Sequence, residues 1–293
     1  MRPFLYVFHS KEVNMRWQTD FLEKHTLLKS YPDNVQCVLD WLERELLLQS
    51  SPFCLAINGA QGSGKSTLSE YLKAYLESQG IATEIVSLDD FYLSKAQRAE
   101  RAIQYHTLFK VRGVPGTHDT TFAIEQVKRF KNSEDFILPR FNKATDEPYS
   151  SANWLKCTNK PKVLIFEGWC LGLMPQSAAQ LNRPVNNLEA TKDSNGVYRD
   201  RVNQFLADDY QALFALFDKL VFLNAQSFER VYSWRLQQEH QLIKRAGTGM
   251  SDEEVTTFIQ YFERLTRWGI ESLSACSDLH IKLDENRQFS VAT

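Results

Sequence analysis

The chain is punctuated by short apolar runs. Residues 53–57, 163–166 and 220–223 carry almost no polar interruption, and residues 81–88 are apolar at Ile85, Val86 and Leu88. Runs this short predict strands, and unbroken ones predict strands covered on both faces, as in a parallel sheet between helices. Leu279, Ile281 and Leu283 alternate with polar residues, which predicts a final edge strand. Between the runs the period changes to three and four. Leu68, Tyr71, Leu72, Tyr75 and Leu76 predict a helix after the first strand, closed by Gly80. Phe122, Ile124 and Val127 predict another, capped by Asp119. A basic helix with Arg230, Arg235, Lys244 and Arg245 follows the run at 220–223. The next helix opens on the capping box Ser251-Asp252-Glu253-Glu254 and carries Val255, Phe258, Ile259, Phe262 and Leu265 on one face.

Strands alternating with helices give an α/β fold. Residues 1–50 precede its first strand and predict a helical extension packed on the core. Val13, Trp17, Phe21 and Leu28 mark one face; after a cap at Asp33, Val35, Val38, Leu39, Leu42 and Leu46 mark a second. A partner-binding helical hairpin is the alternative use of these segments. Residues 51–293 form the main domain, with a lid at about 226–250 hinged near Gly247-Thr248-Gly249. Residues 175–200, rich in Asn, Ser and Pro, read as a surface insertion.

The first strand runs into Gly59-Ala60-Gln61-Gly62-Ser63-Gly64-Lys65-Ser66, which fits G-x-x-x-x-G-K-[ST]. A strand, a glycine-rich turn and a helix are the context this phosphate-binding loop needs. Backbone N–H groups of residues through Thr67 can wrap a polyphosphate where the helix dipole favours negative charge. Lys65 is placed to reach the β- and γ-phosphates and Ser66 to hold Mg²⁺, so ATP and Mg²⁺ are the expected cofactors.

Carboxylates appear where the other strands end. The second delivers Asp89-Asp90-Phe91-Tyr92, the third Glu167-Gly168-Trp169. In open α/β sheets that end of the strands is where ligands bind. Glu167 suits a magnesium-associated position; Asp90 reads equally as a helix cap. The loop Arg112-Gly113-Val114-Pro115-Gly116-Thr117-His118 is fixed by its glycines and proline, with His118 either a loop histidine or a substrate contact. Arg140 and Lys143 suit a carboxylate or phosphate.

With a formal net charge of -2 the chain has no global basic field for nucleic acid or membrane. Five cysteines without C-x-x-C spacing argue against a zinc site or a disulfide framework and favour a reducing cytoplasm. The apolar start, residues 1–9, is too short for a signal peptide, and no run reaches the length of a membrane span.

Taken together, the P-loop, Ser87-Leu88-Asp89-Asp90-Phe91-Tyr92 and Phe166-Glu167-Gly168 resemble the phosphoribulokinase, uridine kinase and pantothenate kinase group. Arg112-Gly113 with Gly116-Thr117-His118-Asp119, Pro139-Arg140-Phe141 with Lys143, and Gly249-Met250-Ser251-Asp252-Glu253-Glu254-Val255 are similar to glycerate 3-kinase and its relatives. Asn142 departs from that pattern, where Asp is expected. The resemblance implies a three-layer fold with a five-stranded, mostly parallel sheet. It implies transfer of the γ-phosphoryl of ATP to a small hydroxylated acceptor, with D-glycerate first and pantothenate, a nucleoside or a sugar phosphate as alternatives. Asp89 then takes the acceptor proton, assisted by Lys65 and by Arg235 from the lid. Tyr92, Arg112, His118, Arg140 and Lys143 contact the acceptor, and Ser66 with Glu167 holds the metal. A kinase of this kind is a monomer or homodimer. An ATP-binding switch acting on a protein partner is the reading from another class.

Overall fold

The computed structural model describes residues 16–48 and 52–292. The readings placed on Val13 and on residues 1–9 lie outside them. The strands among the described residues are β1 (Phe53–Gly59), β2 (Thr83–Ser87), β3 (Phe136–Leu138), β4 (Phe141–Asn142), β5 (Glu147–Pro148), β6 (Leu155–Cys157), β7 (Val163–Gly168), β8 (Lys219–Asn224), β9 (Leu279–Leu283) and β10 (Phe289–Val291). The helices are α1 (Arg16–His25), α2 (Tyr31–Leu48), α3 (Lys65–Ser78), α4 (Lys95–Gln104), α5 (Thr120–Lys131), α6 (Ala178–Leu181), α7 (Asn187–Lys192), α8 (Val197–Phe205), α9 (Gln211–Phe214), α10 (Phe228–Ala246) and α11 (Asp252–Ser272).

A central sheet runs in the order β10-β9-β8-β1-β7-β2. All neighbours are parallel except β10, which returns antiparallel on β9. The sheet is therefore six-stranded, one more than expected, and β9 lies inside it rather than at the edge. The alternation in β9 marks one strongly buried face, and β10 is too short to signal itself.

Alternate residues of β1 feed two cores. Cys54 and Ala56 join Phe166, Val127 and Leu213 on one face; Phe53, Leu55 and Ile57 join Leu68, Leu72 and Ile165 on the other. Burial on both faces is why the run has no polar position. The first two helices share the second core. Trp17, Phe21 and Tyr31 meet the Tyr71 ring of α3 at centroid distances of 5.2, 5.2 and 5.4 Å. Leu28, expected on that face, is exposed, because α1 ends at His25 and Thr26 turns the chain with φ 53°.

The stretch 175–200 lies largely exposed, as a surface insertion does, but it is anchored: Leu181, Leu188 and Tyr198 are buried, and Arg264 of α11 grips Glu189 at 2.6 and 2.7 Å. Its polar composition hid a clamp made of buried charges. Apart from the central sheet, β3 pairs with β6 and β4 with β5 in two small antiparallel ribbons. These ribbons carry Arg140 and Lys143.

Candidate active site

Sheet register builds the site. Glu167 lies opposite Ile57 of β1 on one side and Ser87 of β2 on the other. The P-loop, Glu167 and the turn after Ser87 therefore emerge together at the C-terminal end of the sheet.

The P-loop closes by a Ser63 N–H to Ala60 carbonyl bond of 3.2 Å, and Gly64 caps α3. Gly62 takes φ 78°, and a Cβ there would sit 2.5 Å from the Trp234 Cβ of α10. Only glycine meets both demands. The Ser66 hydroxyl donates to Glu167 Oε1 at 3.0 Å, and Lys65 Nζ lies 3.8 Å from Oε2. Glu167 Oε2 and Ser63 Oγ are buried without a hydrogen-bond partner among the described residues.

The two aspartates part company for a local reason. Ser87 starts a tight helical turn, its hydroxyl accepting from Asp89 N–H while Asp90 reaches back to Ser87 N–H at 3.4 Å. Asp90 also accepts from Phe141 N–H at 3.2 Å and Arg140 at 2.9 Å. It is a cap and an anchor, and burial raises its pKa despite Arg140. Asp89 instead projects from the turn. It accepts from the Tyr92 hydroxyl at 2.9 Å and Lys143 Nζ at 2.6 Å. Burial favours its neutral form, but Lys143 and then Lys65 outweigh burial and hold the carboxyl well below the usual carboxylate range.

Tyr92 bridges to His118 along the backbone, and their rings stack at 4.4 Å. Phe91 carbonyl accepts from Asp119 N–H at 2.7 Å, and Trp169 Nε1–H donates to Gly113 carbonyl at 3.0 Å. The loop 112–119 is thereby stitched to both carboxylate-bearing segments.

Not every expected residue converges. Arg140 is held by Asp90. Arg112 is paired with Asp146, which also takes the buried Arg98. Arg235 pairs with Glu239 of its own helix at 2.6 Å over the Phe258 ring; no hydrogen bond or ion pair found among the described residues joins it to the P-loop, Asp89 or Glu167. Arg140 and Arg112 meet carboxylates far along the chain that their sequence neighbourhoods do not advertise, whereas Arg235 meets one a single helical turn away.

Residues not singled out from sequence also belong here. Arg287, in the β9–β10 turn, donates to Gly62 carbonyl at 2.6 Å and to Gln237 of α10 at 2.8 Å, with its guanidinium 5.0 Å from the Trp234 ring. Beside it a cavity of about 200 Å³ opens between the P-loop, the α1–α2 join and this turn, lined by Leu27, Tyr31, Ser63, Thr67, Arg287 and Phe289. Asn34 pins the turn through Arg287 carbonyl and Phe289 N–H. A polar turn such as Asp284-Glu285-Asn286-Arg287 carries no sequence signal for this.

Residues 54–182 match the Phosphoribulokinase / Uridine kinase family. An uncharacterized kinase of Schizosaccharomyces pombe, mug58, is 36% identical over 86% of this chain and 95% of its own length. The chain belongs to this family of P-loop kinases. The kinase is also 29% identical to a chloroplastic D-glycerate 3-kinase of Arabidopsis thaliana, over 77% of this chain and 51% of that protein. A solved D-glycerate 3-kinase from Cryptococcus neoformans shares its fold, with a TM-score of 0.73 at 24% identity over 90% of this chain and 99% of the other. ATP dependence and phosphoryl transfer follow from the family; the acceptor does not. Among the described residues of the kinase no helix is long and apolar enough to cross a membrane.

Proposed function

We propose that this kinase transfers the γ-phosphoryl of ATP to a hydroxyl of a small organic acid, D-glycerate in the first instance, giving 3-phosphoglycerate. The observation that carries the reading is Asp89: a carboxylate kept ionised at the C-terminal end of the sheet, within the field of the P-loop lysine. Asp89 takes the proton as the acceptor oxygen bonds to the γ-phosphorus. The bond from that phosphorus to the β–γ bridging oxygen breaks, and ADP leaves. The P-loop N–H groups and Lys65 hold the triphosphate. The cavity beside Thr67 takes the base, so the N-terminal helices serve the nucleotide site.

The residues fit a magnesium ion. Ser66 and Glu167 offer one hydroxyl and one carboxylate 3.0 Å apart, and the second carboxylate oxygen, buried, has Lys65 3.8 Å away but no hydrogen-bond partner among the described residues. Magnesium is held in this way by few protein oxygens plus phosphates and water. When bound it would neutralise charge on the phosphates.

D-glycerate is favoured over a phosphorylated acceptor by where the basic residues go. Arg98 is buried and paired, Arg101 lies over Phe205, and Arg112 is engaged by Asp146. Beside the reacting oxygen that leaves one cation, Lys143, already bonded to Asp89, which suits a single carboxylate. The glycerate 3-kinase relative supports the same choice. The test is ADP production with D-glycerate, pantothenate, uridine and a sugar phosphate side by side. Turnover with D-glycerate alone is expected; turnover with another acceptor reassigns the substrate, and acceptor-independent hydrolysis favours a switch.

A further inference from the structure

His118 sits between two tyrosines. Its ring stacks on Tyr92, whose hydroxyl is bonded to Asp89; its Nδ1 is hydrogen-bonded to the Tyr210 hydroxyl. Its Nε2 is buried with no hydrogen-bond partner among the described residues, in a residue only 2% exposed. Tyr210 is placed by an irregularity. Residues Leu206–Tyr210 form a π-helical turn between α8 and α9, and such wide turns gather at functional sites.

The hydrogens can be counted. The Tyr210 hydroxyl accepts the Gly116 N–H at 3.2 Å. A phenol has one hydrogen of its own to give, and His118 Nδ1 is the partner in place to take it. Nδ1 is then an acceptor, and a neutral imidazole must carry its proton on Nε2. Burial keeps this ring neutral, lowering its pKa from 6.5 to about 3 against the pull of Asp89. A buried N–H without an acceptor is costly, so this group is matched to something that arrives.

We infer that Tyr210 is a positioning residue that fixes His118 as a neutral Nε2–H donor, and that this donor binds an oxygen of the acceptor molecule beside the hydroxyl that Asp89 deprotonates. It rests on the kinase reading of the site. His118 moves no proton; it selects an acceptor that carries a second oxygen, as a hydroxy acid does. A hydrogen-bonding site of this kind discriminates strongly against analogues lacking the partner atom.

Two experiments test it. The first needs no turnover: ¹⁵N spectra of imidazole-labelled protein, with His118 identified by its loss in His118→Gln. The Nε2–H tautomer is expected in the wild type and a loss of that fixed tautomer in Tyr210→Phe; a proton on Nδ1 in the wild type overturns the inference. The second is steady-state kinetics. His118→Phe should raise the acceptor KM about tenfold with the ATP KM unchanged, His118→Gln should recover most of it by restoring a donor, and Tyr210→Phe should fall between. An unchanged acceptor KM in Tyr210→Phe and His118→Phe overturns the inference while leaving the kinase reading intact. Absence of turnover with every acceptor counts against the kinase reading, and the tautomer measurement still decides the inference.

Discussion

Lys143 Nζ donates to Asp89 Oδ2 over 2.6 Å, joining the β4–β5 ribbon to the end of β2. The contact is electrostatic as well as steric. Lys143 is the larger of the two lysine charges that hold the Asp89 carboxyl below its ordinary value near 3.8. A depressed carboxylate adds stability above its unfolded pKa and loses it as pH falls through the native one. Lys143→Met should therefore let Asp89 titrate higher, move the acid limb of kcat/KM to higher pH, and lower kcat/KM on the order of tenfold. The pH profile of the two enzymes checks this; coincident acid limbs would remove Lys143 from the account.

His118 predicts a pH dependence of folding. Its native pKa is about 3, against 6.5 in an unfolded chain. Between those values the unfolded chain binds a proton that the native protein refuses, so this contribution to stability is full above 6.5 and declines as pH falls. Thermal unfolding followed from neutral to acidic pH should show the decline, with a shallower slope in His118→Gln. Equal slopes would mean that the imidazole is not buried neutral.

The P-loop glycines differ in what surrounds them. Gly64 has φ 87°, and no described residue comes within 4 Å of where its Cβ would stand, whereas Gly62 adds a 2.5 Å clash with Trp234 to its own positive φ. Gly64→Ala should cost about 1–2 kcal/mol of backbone strain. Gly62→Ala should cost roughly 1–3 kcal/mol more, for displacing the base of α10. Melting temperatures in the order wild type, Gly64→Ala, Gly62→Ala are expected; equal losses would show that α10 yields freely.

Arg287 ties the β9–β10 turn to the P-loop and α10. A hydrogen bond from a charged group is worth roughly 1.5–3 kcal/mol, so Arg287→Ala should weaken ATP binding about tenfold or more. The acceptor KM should stay as it is. Gln237→Ala, which removes the α10 arm and leaves the bond to Gly62, should weaken ATP binding less. Calorimetry with a non-hydrolysable ATP analogue reads both.

The parallel core and the phosphate loop were legible because each has a local signature. Residues 53–57 and 163–166 are buried on both faces, and G-x-x-x-x-G-K-S needs its own backbone conformation. Asp89 and Glu167 were legible for the same reason: each sits where an apolar run stops. What stayed hidden depends on partners far along the chain. Arg140 looks free until Asp90 is brought beside it, as does Arg112 until Asp146 folds back. Tyr210 carries no signal of its own, because nothing local marks the wide turn that aims it at His118. The edge position given to β9 failed because its cover, β10, is a three-residue strand.

The most direct test of the account is Asp89→Asn, measured twice. Calorimetry with a non-hydrolysable ATP analogue should give an affinity close to wild type, because the P-loop, Lys65 and Ser66 are untouched. ADP production with D-glycerate should fall by about 10²–10⁴-fold, the range for loss of a general base. Wild-type turnover in this variant would contradict the account.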